Sequence, residues 1–318
     1  MAIYIVQRLA AMAAIVVVMS IVIFATIYVL PGSAAVLMLG EYATPESIAA
    51  LERKLGLDDP LWVQYWRWAS GALAGNFGDS LVLERPVAPM IGDALASSAI
   101  LAGLTMVFVT VLGVGFGVLC AVYRGSPLDH ALSVTSYLGV SVPEFFFAIL
   151  FVIVFAAYLG WLPAHGYAPL SEGVGRFAAH LVLPVATLTL ALLAHVLRQT
   201  RSSMIETMRQ DYVRAARARG VPERVVVMRH ALRNALLPII TVLAYDVGWL
   251  IGGVVVVETV FGYPGLGRLM LFAIERHDFP IIQASVLVMT FIFAMSNLAA
   301  DLLYAFVNPK IRYGRSVG

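Results

Sequence analysis

The densest group of residues able to make strong polar contacts is a stretch at 198–238 that lies between two apolar segments. It holds nine arginines between Arg198 and Arg233. A guanidinium group makes paired hydrogen bonds to carboxylates and phosphates. Charge alone is also typical of a cytoplasmic loop that contacts lipid headgroups. The small residues Ala215, Ala216 and Gly220 favour a second interpretation, a docking site that another protein backbone can approach closely.

The sequence predicts no chemistry carried out by the chain itself. Neither of the two lysines, Lys54 and Lys310, follows a glycine or precedes Ser or Thr, as a phosphate-binding loop requires. The six histidines form no His-Glu-x-x-His metal pair, and His195 is interpreted as a helix-packing group. The single cysteine, Cys120, excludes an internal disulfide. We therefore expect no catalytic residue, metal or cofactor in this chain, and ATP-driven work would need a separate subunit.

Composition indicates a membrane protein, because 61% of the residues are hydrophobic and 13% are charged, against about 25% charged in soluble domains. A membrane-spanning helix needs about 20 apolar residues. We predict an all-α polytopic membrane protein with six transmembrane helices, the first a retained anchor rather than a cleaved signal peptide. The spans are placed at 9–30, 97–123, 142–160, 179–198, 239–257 and 284–307.

The third span is the most irregular. As one helix, the low-charge run 131–160 would be about 43 Å long, longer than the roughly 30 Å bilayer core. Pro143 and Glu144 lie near its middle, and proline breaks or kinks a helix. We therefore predict a separate helical piece at 128–141 before the span.

The distribution of lysine and arginine predicts the direction of the spans. With the N-terminus inside, internal segments hold 14 of the 21 basic residues. The opposite side holds the long acidic loop 31–96. Both termini are therefore predicted to be cytoplasmic.

Two helices are predicted in the loop 31–96. Thr44 is a candidate N-cap with Pro45 at the first helical position, and Leu55-Gly56 is a plausible stop. An amphipathic segment follows at 61–73, and its tryptophans are typical of the membrane interface.

The sequence of the 199–237 loop predicts two helices. Residues 202–219 favour one helix, which Gly220 would stop. A second would begin at Pro222-Glu223, with the acid favoured in its first turn, and would lead into the span after Pro238.

Acidic groups near the spans are candidates for a translocation pathway, because charge is costly in lipid. Asp246 is the best of them, and Glu144 and Asp301 are nearer to a span boundary. The segment 258–283 begins with Glu258, is rich in turn-forming residues and is expected near an outer gate. These features also leave open an ion-gradient-driven secondary transporter, although no repeat is visible by eye.

Several motifs, which occur in order along nearly the full chain, resemble those of one protein family. Ala215-Ala216-x3-Gly220 with Leu236-Leu237-Pro238 resembles the cytoplasmic "EAA" loop of ABC-importer permeases, of the peptide/nickel branch. Arg214 stands where the general motif has glutamate, and the gap from Gly220 to Pro238 is longer than in the general pattern. The other matching motifs are Phe77-Gly78-Asp79-Ser80, Pro143-Glu144-Phe145, Leu159-Gly160-Trp161-Leu162-Pro163, Glu258-Thr259-Val260-Phe261-Gly262-Tyr263-Pro264-Gly265-Leu266-Gly267 and Asn308-Pro309-Lys310-Ile311-Arg312.

The long loop after the first span is similar to that of the B-type subunit of dipeptide and oligopeptide permeases. The resemblance implies a type I importer permease in a bacterial or archaeal cell (inner) membrane, with peptide, nickel or another small solute as substrate. Its implied partners are a second permease, two cytoplasmic ATPases that carry ATP and Mg²⁺, and an extracytoplasmic binding protein. The implied domains are a membrane anchor with its helical loop at 1–96, a five-span core at 97–307 that contains the 199–237 loop, and a cytoplasmic tail at 308–318.

The resemblance also assigns expected roles to individual residues. The expected ATPase-coupling residues are Tyr212, Arg214, Ala215, Ala216, Arg219, Gly220, Glu223, Arg229, His230, Arg233 and Asn234. The expected pathway or gate residues are Ser141, Pro143, Glu144, Asp246, Glu258 and Pro264.

Overall fold

The computed structural model describes residues 2–29, 36, 44–55 and 58–307, and most of them lie in helices. The described residues include π-helical turns at Val152–Tyr158 and Val226–Ala231. The helices are α1 (Ala2–Val29), α2 (Pro45–Leu55), α3 (Leu61–Leu73), α4 (Val87–Val122), α5 (Pro127–Ser141), α6 (Glu144–Phe151), α7 (Val174–Met208), α8 (Asp211–Ala218), α9 (Glu223–Val225), α10 (Leu232–Phe261), α11 (Leu266–Glu275) and α12 (Phe279–Val307).

Within the described residues, five helical segments are long and apolar enough to cross a membrane, or six if the bent pair α5 and α6 counts as one span. Five of the predicted spans therefore coincide with α1, α4, α7, α10 and α12. The helices extend beyond the apolar windows because helical hydrogen bonding continues into the polar ends. The predicted tail 308–318 and the stop residue Gly56 lie outside the described residues.

The predicted break at Pro143 is confirmed. Helix α5 ends at Ser141, Pro143 is the N-cap of α6, and the axes of 127–139 and 144–158 differ by 102°. The expected span 142–160 is not one α-helix, since α6 passes into a π-helical turn at Val152. The number of spans depends on this bent pair, so six spans stay a prediction.

The chain forms two compact units. One comprises residues 1–8, 99–263 and 295–318, and the other comprises 9–98 and 264–294. Helices α4, α6, α7 and α10 supply the core of the first unit, including Leu101, Leu188, Leu192 and Leu250. This core is an apolar helix bundle, as expected of membrane-spanning segments.

Glycines set the close approach of helices to α7. A Cβ added at Gly113 would lie 2.8 Å from the Val196 side chain, and one at Gly117 would overlap Thr200 Cβ. On α5, a Cβ at Gly139 would overlap the Leu190 carbonyl oxygen. The Gly-x-x-x-Gly spacing of α4 is a known device for backbone contact between membrane helices.

The second unit explains the Phe77-Gly78-Asp79-Ser80 motif. Ser80 Oγ donates to the buried Asp278 carboxylate at 2.5 Å, and the Val82 amide donates to the same oxygen at 3.2 Å. Asp278 directly precedes α12, and its other oxygen lies 3.5 Å from the Ile281 amide. One carboxylate therefore ties the turn at 78–87 to the start of α12, a link between residues 198 positions apart.

The two helices predicted in the loop 31–96 are present. The Thr44 hydroxyl accepts the Ser47 amide at 3.2 Å, as an N-cap does, and Pro45 opens α2. Helix α3 occupies Leu61–Leu73, the predicted amphipathic segment.

Candidate functional site

The 199–237 loop is built from the end of α7, the short helix α8 and the start of the α9–α10 segment. The expected single helix over 202–219 is wrong in one respect, because α7 ends at Met208 and α8 starts at Asp211 after a turn at 209–210. Asp211 provides the acid favoured in a first helical turn. The break lets α8 leave the axis of α7 as a separate surface element.

Gly220 ends this element as predicted. It has φ +75°, a left-handed conformation that glycine adopts without strain. The Gly220 amide donates to the Arg217 carbonyl at 2.9 Å. The next helix starts at Glu223 after Pro222, also as predicted. Helix α10 continues through Pro238 into the predicted span 239–257, as expected of a second helix that leads into it.

Helix α8 has one buried face and one exposed face. Val213 and Ala216 are fully buried and pack with Val226 and Val221. The spacing of Ala216 predicted that it belongs to an accessible small-residue surface, and this prediction is wrong. Its buried side chain instead packs against the following segment and holds α8 in place. Ala215 and Gly220 are exposed, and a Cβ at Gly220 would meet no atom within 4 Å.

Two side-chain links hold α8 against the following segment. Arg217 makes a paired contact with Glu223, with Nη2–Oε1 at 2.6 Å and Nε–Oε2 at 3.1 Å. Hydrogen bonding to this carboxylate raises the pKa of Arg217, so the guanidinium stays charged. Asn234 Nδ2 donates to the Tyr212 hydroxyl at 2.8 Å. The second link joins two of the predicted coupling residues, and the first joins Glu223, also predicted, to Arg217, which was not.

The outward side of the loop is cationic and carries small residues. At 100° per residue, Ala215 lies opposite the buried Val213 on α8, with Ala218 and Arg219 beside it. Arg219 Nε donates to the Ala215 carbonyl at 3.3 Å, while Arg214 Nη1 lies 3.5 Å from the Asp211 carboxylate. Of the other expected coupling residues, Arg229 and Arg233 are exposed and His230 is half-buried.

The loop is packed against the ends of spanning helices. Met204 of α7 shares a buried cluster with Ala231 and Ala235 of the segment entering α10, and with Ala121 of α4. The ends of these three helices are therefore in direct contact at the base of the loop.

A buried ion pair missed by the sequence reasoning lies close by. Arg201 Nε and Nη2 donate to the two oxygens of Asp129 at 2.7 and 2.8 Å, which joins α7 to the first turn of α5. Asp129 also accepts the Gly125 amide at 2.9 Å, and Ser126 caps the helix. The Ser-Pro-x-Asp spacing of 126–129 signals this helix start, but nothing local identifies the partner 72 residues away.

The candidate pathway residues are in several environments. Asp246 is buried, with Oδ1 3.4 Å from His195 Nδ1, so His195 has an acidic neighbour that its sequence context did not reveal. Asp246 Oδ2 is buried and has no hydrogen-bond partner among the described residues. Glu258 is fully buried near the end of α10. Both acids are therefore buried inside this chain, and neither lies on its exposed surface.

The remaining candidates lie at turns. Ser141, Pro143 and Glu144 surround the bend between α5 and α6, and a Cβ added at Gly253 of α10 would lie 2.9 Å from Glu144 Oε2. Gly253 therefore makes room for this carboxylate. Pro264 precedes α11 in the other unit.

Among the described residues no group of three or more His, Cys, Asp or Glu side chains could hold a metal ion. The fold and the site together define an apolar helical membrane protein with a cationic, arginine-rich loop. Comparison with known proteins gives the family. The profile described as binding-protein-dependent transport system inner membrane component matches residues 113–313, and the N-terminal profile of the same systems matches residues 1–112.

The chain therefore belongs to the family of membrane permease components of binding-protein-dependent ABC transport systems. It is 39% identical over 313 residues to the probable peptide ABC transporter permease protein y4tP of Sinorhizobium fredii, covering 98% of this chain and 100% of that protein. It is 38% identical to the glutathione transport system permease protein GsiC of Escherichia coli K12 and 37% identical to the dipeptide transport system permease protein DppB of Alkalihalophilus pseudofirmus. Each of these two similarities covers 98% of this chain and 99% of the relative.

The fold is also similar to a chain of the MetNI methionine ABC transporter, solved in inward-facing conformations. The TM-score is 0.56 at 16% identity, covering 69% of this chain and 96% of that chain. This likeness supports an importer-permease fold for a multi-pass membrane protein.

Proposed function

We propose that this permease subunit forms, with a second permease, the import pathway for peptides and couples it to two cytoplasmic ATPases. An extracytoplasmic binding protein would deliver the peptide, and ATP and Mg²⁺ would be bound by the ATPases. The observation that carries the coupling role is the short helix α8, which exposes a cationic face and packs by its buried face on Val226 in the segment that leads into α10.

The peptide assignment rests on the full-length relatives named for peptide and dipeptide transport. Glutathione import is a second candidate, favoured by the GsiC relatives, and glutathione is itself peptide-like. These relatives favour peptide-like solutes over the nickel alternative. Family membership favours an ATP-driven permease over the ion-gradient-driven alternative.

The coupling step follows from the packing of the loop. Arg214, Arg219 and Ala215 would meet an acidic cleft on an ATPase, where arginine makes paired contacts to carboxylates. Since Val213 and Ala216 pack on Val226, a movement imposed on α8 would carry the start of the α10 segment with it. The buried cluster at Met204 would pass the same movement to α7. ATP-driven closure of the ATPases would thus change the access of the pathway.

For the pathway itself we propose a direct role for Glu144 at the α5–α6 bend, with Ser141 and Pro143 shaping that bend. Asp246 and Glu258 are buried within this chain and would reach the pathway only through a rearrangement of the helices. Pro264 is retained as a candidate gate residue because of its turn-rich position before α11.

The coupling proposal is tested with Ala215→Trp. Because Ala215 is exposed on the outward face of α8, the bulky ring would block close approach of an ATPase without entering the core of this chain. We expect loss of ATPase co-purification and at least a tenfold loss of peptide uptake, as a loss of about 1.4 kcal/mol of binding would give. Gly220 is a poorer test, because its positive φ would strain any side chain whatever its contacts.

The matched control is Ala50→Trp, the same change at an exposed alanine of α2. It should leave both co-purification and uptake at the parental level. Normal ATPase recovery and uptake with Ala215→Trp would contradict docking at α8.

A further inference from the structure

Helix α3 carries an exposed apolar stripe that no element of the described chain covers. Trp62, Trp66, Ala69 and Leu73 follow one another at spacings of four, three and four residues, so they lie on one narrow face of the helix. Trp62, Trp66 and Leu73 are 74%, 72% and 91% exposed. Tryptophan in water at this density is unfavourable, because each ring exposes a large apolar surface.

A different face of α3, centred about 100° around the helix from the stripe, packs on the membrane helix α1. The Tyr65 hydroxyl is hydrogen-bonded to Ser20 Oγ at 2.8 Å. The ring of Phe24 lies 5.5 Å from the ring of Tyr65 in an edge-to-face arrangement and 6.0 Å from that of Trp68. Contact through three aromatic rings and a hydrogen bond fixes which face of α3 points away from α1.

The position of these contacts along α1 sets the depth of α3. Among the residues whose side chains the structure describes, the apolar span of α1 covers Ile5–Thr26, 22 residues or about 33 Å, close to the roughly 30 Å thickness of a bilayer core. Ser20 and Phe24 lie about 9 and about 3 Å inside the Thr26 end of this span. Helix α3 therefore contacts α1 at the level of the bilayer boundary, within the apolar span itself.

We propose that α3 is an interfacial helix whose Trp62–Trp66–Leu73 stripe inserts into the lipid leaflet at the Thr26 end of α1. The depth of the α1 contacts argues for lipid as the occupant, since a helix about 10 Å wide cannot leave this boundary while it holds Ser20 and Phe24. Tryptophan is enriched at this depth because its ring is apolar and its N–H is polar. Arg67, turned away from the stripe, pairs with Asp59 and marks the polar edge.

The test uses nitroxide labels in the complete transporter, reconstituted in lipid nanodiscs and stripped of native cysteines, with Cys120→Ala in this chain. Labels replace Trp66 or Leu73 in separate variants, and collisions with oxygen and with a water-soluble nickel chelate are measured by power saturation. We expect oxygen collisions to exceed nickel-chelate collisions several-fold at both sites. Arg67→Cys is the matched control on the same helix, where nickel-chelate collisions should dominate.

Nickel-chelate collisions at Trp66 and Leu73 equal to those at Arg67 would overturn the proposal, because the stripe would then face water. Labels shielded from both reagents would also overturn it, because a protein partner would then cover the stripe. Adding the binding protein should leave all three sites unchanged.

A second measurement needs no labelling. Wild-type transporter in nanodiscs of brominated lipid should lose more tryptophan emission than the Trp62→Phe/Trp66→Phe double variant, because two quenched rings are missing from the variant. Equal fractional losses would contradict insertion of these rings. Neither measurement depends on which solute is transported, so peptide import and lipid insertion can fail independently.

Discussion

The ion pair between Asp129 and Arg201 shows how one side-chain contact can hold the region beneath the 199–237 loop. Asp129 is 3% exposed and receives both guanidinium nitrogens and a backbone amide. The pair lies between the start of α5 and the last turns of α7. Loss of the arginine would leave a buried carboxylate without the positive charge and the two hydrogen bonds that offset the cost of its burial.

We therefore expect Arg201→Met to destabilise the protein by about 3 kcal/mol, at the lower end for a broken buried pair because Arg201 is partly exposed. The measurement is the melting temperature of the detergent-solubilised transporter. Adding Asp129→Leu should recover part of the loss, since the unpaired charge is then gone. Arg224→Met, at an exposed arginine, is the control and should change the melting temperature little. An unchanged melting temperature in Arg201→Met would contradict the structural role of the pair.

Helices α4 and α7 pack at a distance that only glycine permits. A Cβ at Gly117 would overlap Thr200 Cβ and lie 2.8 Å from the Leu197 carbonyl oxygen, and the backbone oxygen has little freedom to move aside. The close contact of these two turns of α4 with α7 thus depends on glycine having no side chain. Close backbone approach of this kind supplies much of the packing energy between membrane helices, where lipid competes for apolar surface.

Gly117→Ala should therefore lower the melting temperature and the yield of assembled transporter, although alanine is the better helix former by about 1 kcal/mol. The added methyl group would force α4 away from α7, and overpacking of this kind costs about 1–3 kcal/mol. Gly115→Ala is the matched control, because a Cβ there meets no atom within 4 Å. If both variants melt alike, the close contact does not limit stability.

The distribution of charge over the whole molecule sets the proposed orientation in the membrane. The 199–237 loop is rich in arginine and the loop 31–96 is acidic, so the first is proposed to face the cytoplasm and the second the outside. Asn76 and Ala218 are exposed residues in these two regions.

In a Cys120→Ala background, Asn76→Cys should react with a membrane-impermeant maleimide in intact cells. Ala218→Cys should react only after the membrane is opened. The opposite pattern would reverse the proposed topology, and reaction of both in intact cells would place both loops outside. Cys120→Ala alone serves as the unreactive control.

Much of the architecture could be predicted from local sequence. Long apolar runs predicted α1, α4, α7, α10 and α12, because the need to satisfy every backbone group in lipid leaves the helix as the spanning form. Thr44-Pro45 predicted the start of α2, and Gly220 predicted the end of α8. These predictions succeeded because hydropathy, capping and backbone preference act over a few neighbouring residues.

The tertiary structure decided which residues are buried and which meet across the chain. It placed Ala216 on the buried face of α8, paired Arg201 with Asp129 and His195 with Asp246, and joined Ser80 to Asp278. Each contact joins residues that the sequence separates by 51 positions or more, or depends on a neighbouring helix. Hydropathy and local propensity carry no information about such partners. The sequence by itself thus determined a helical membrane permease with an arginine-rich loop, and the packing determined which side of that loop is exposed and therefore available for the proposed docking.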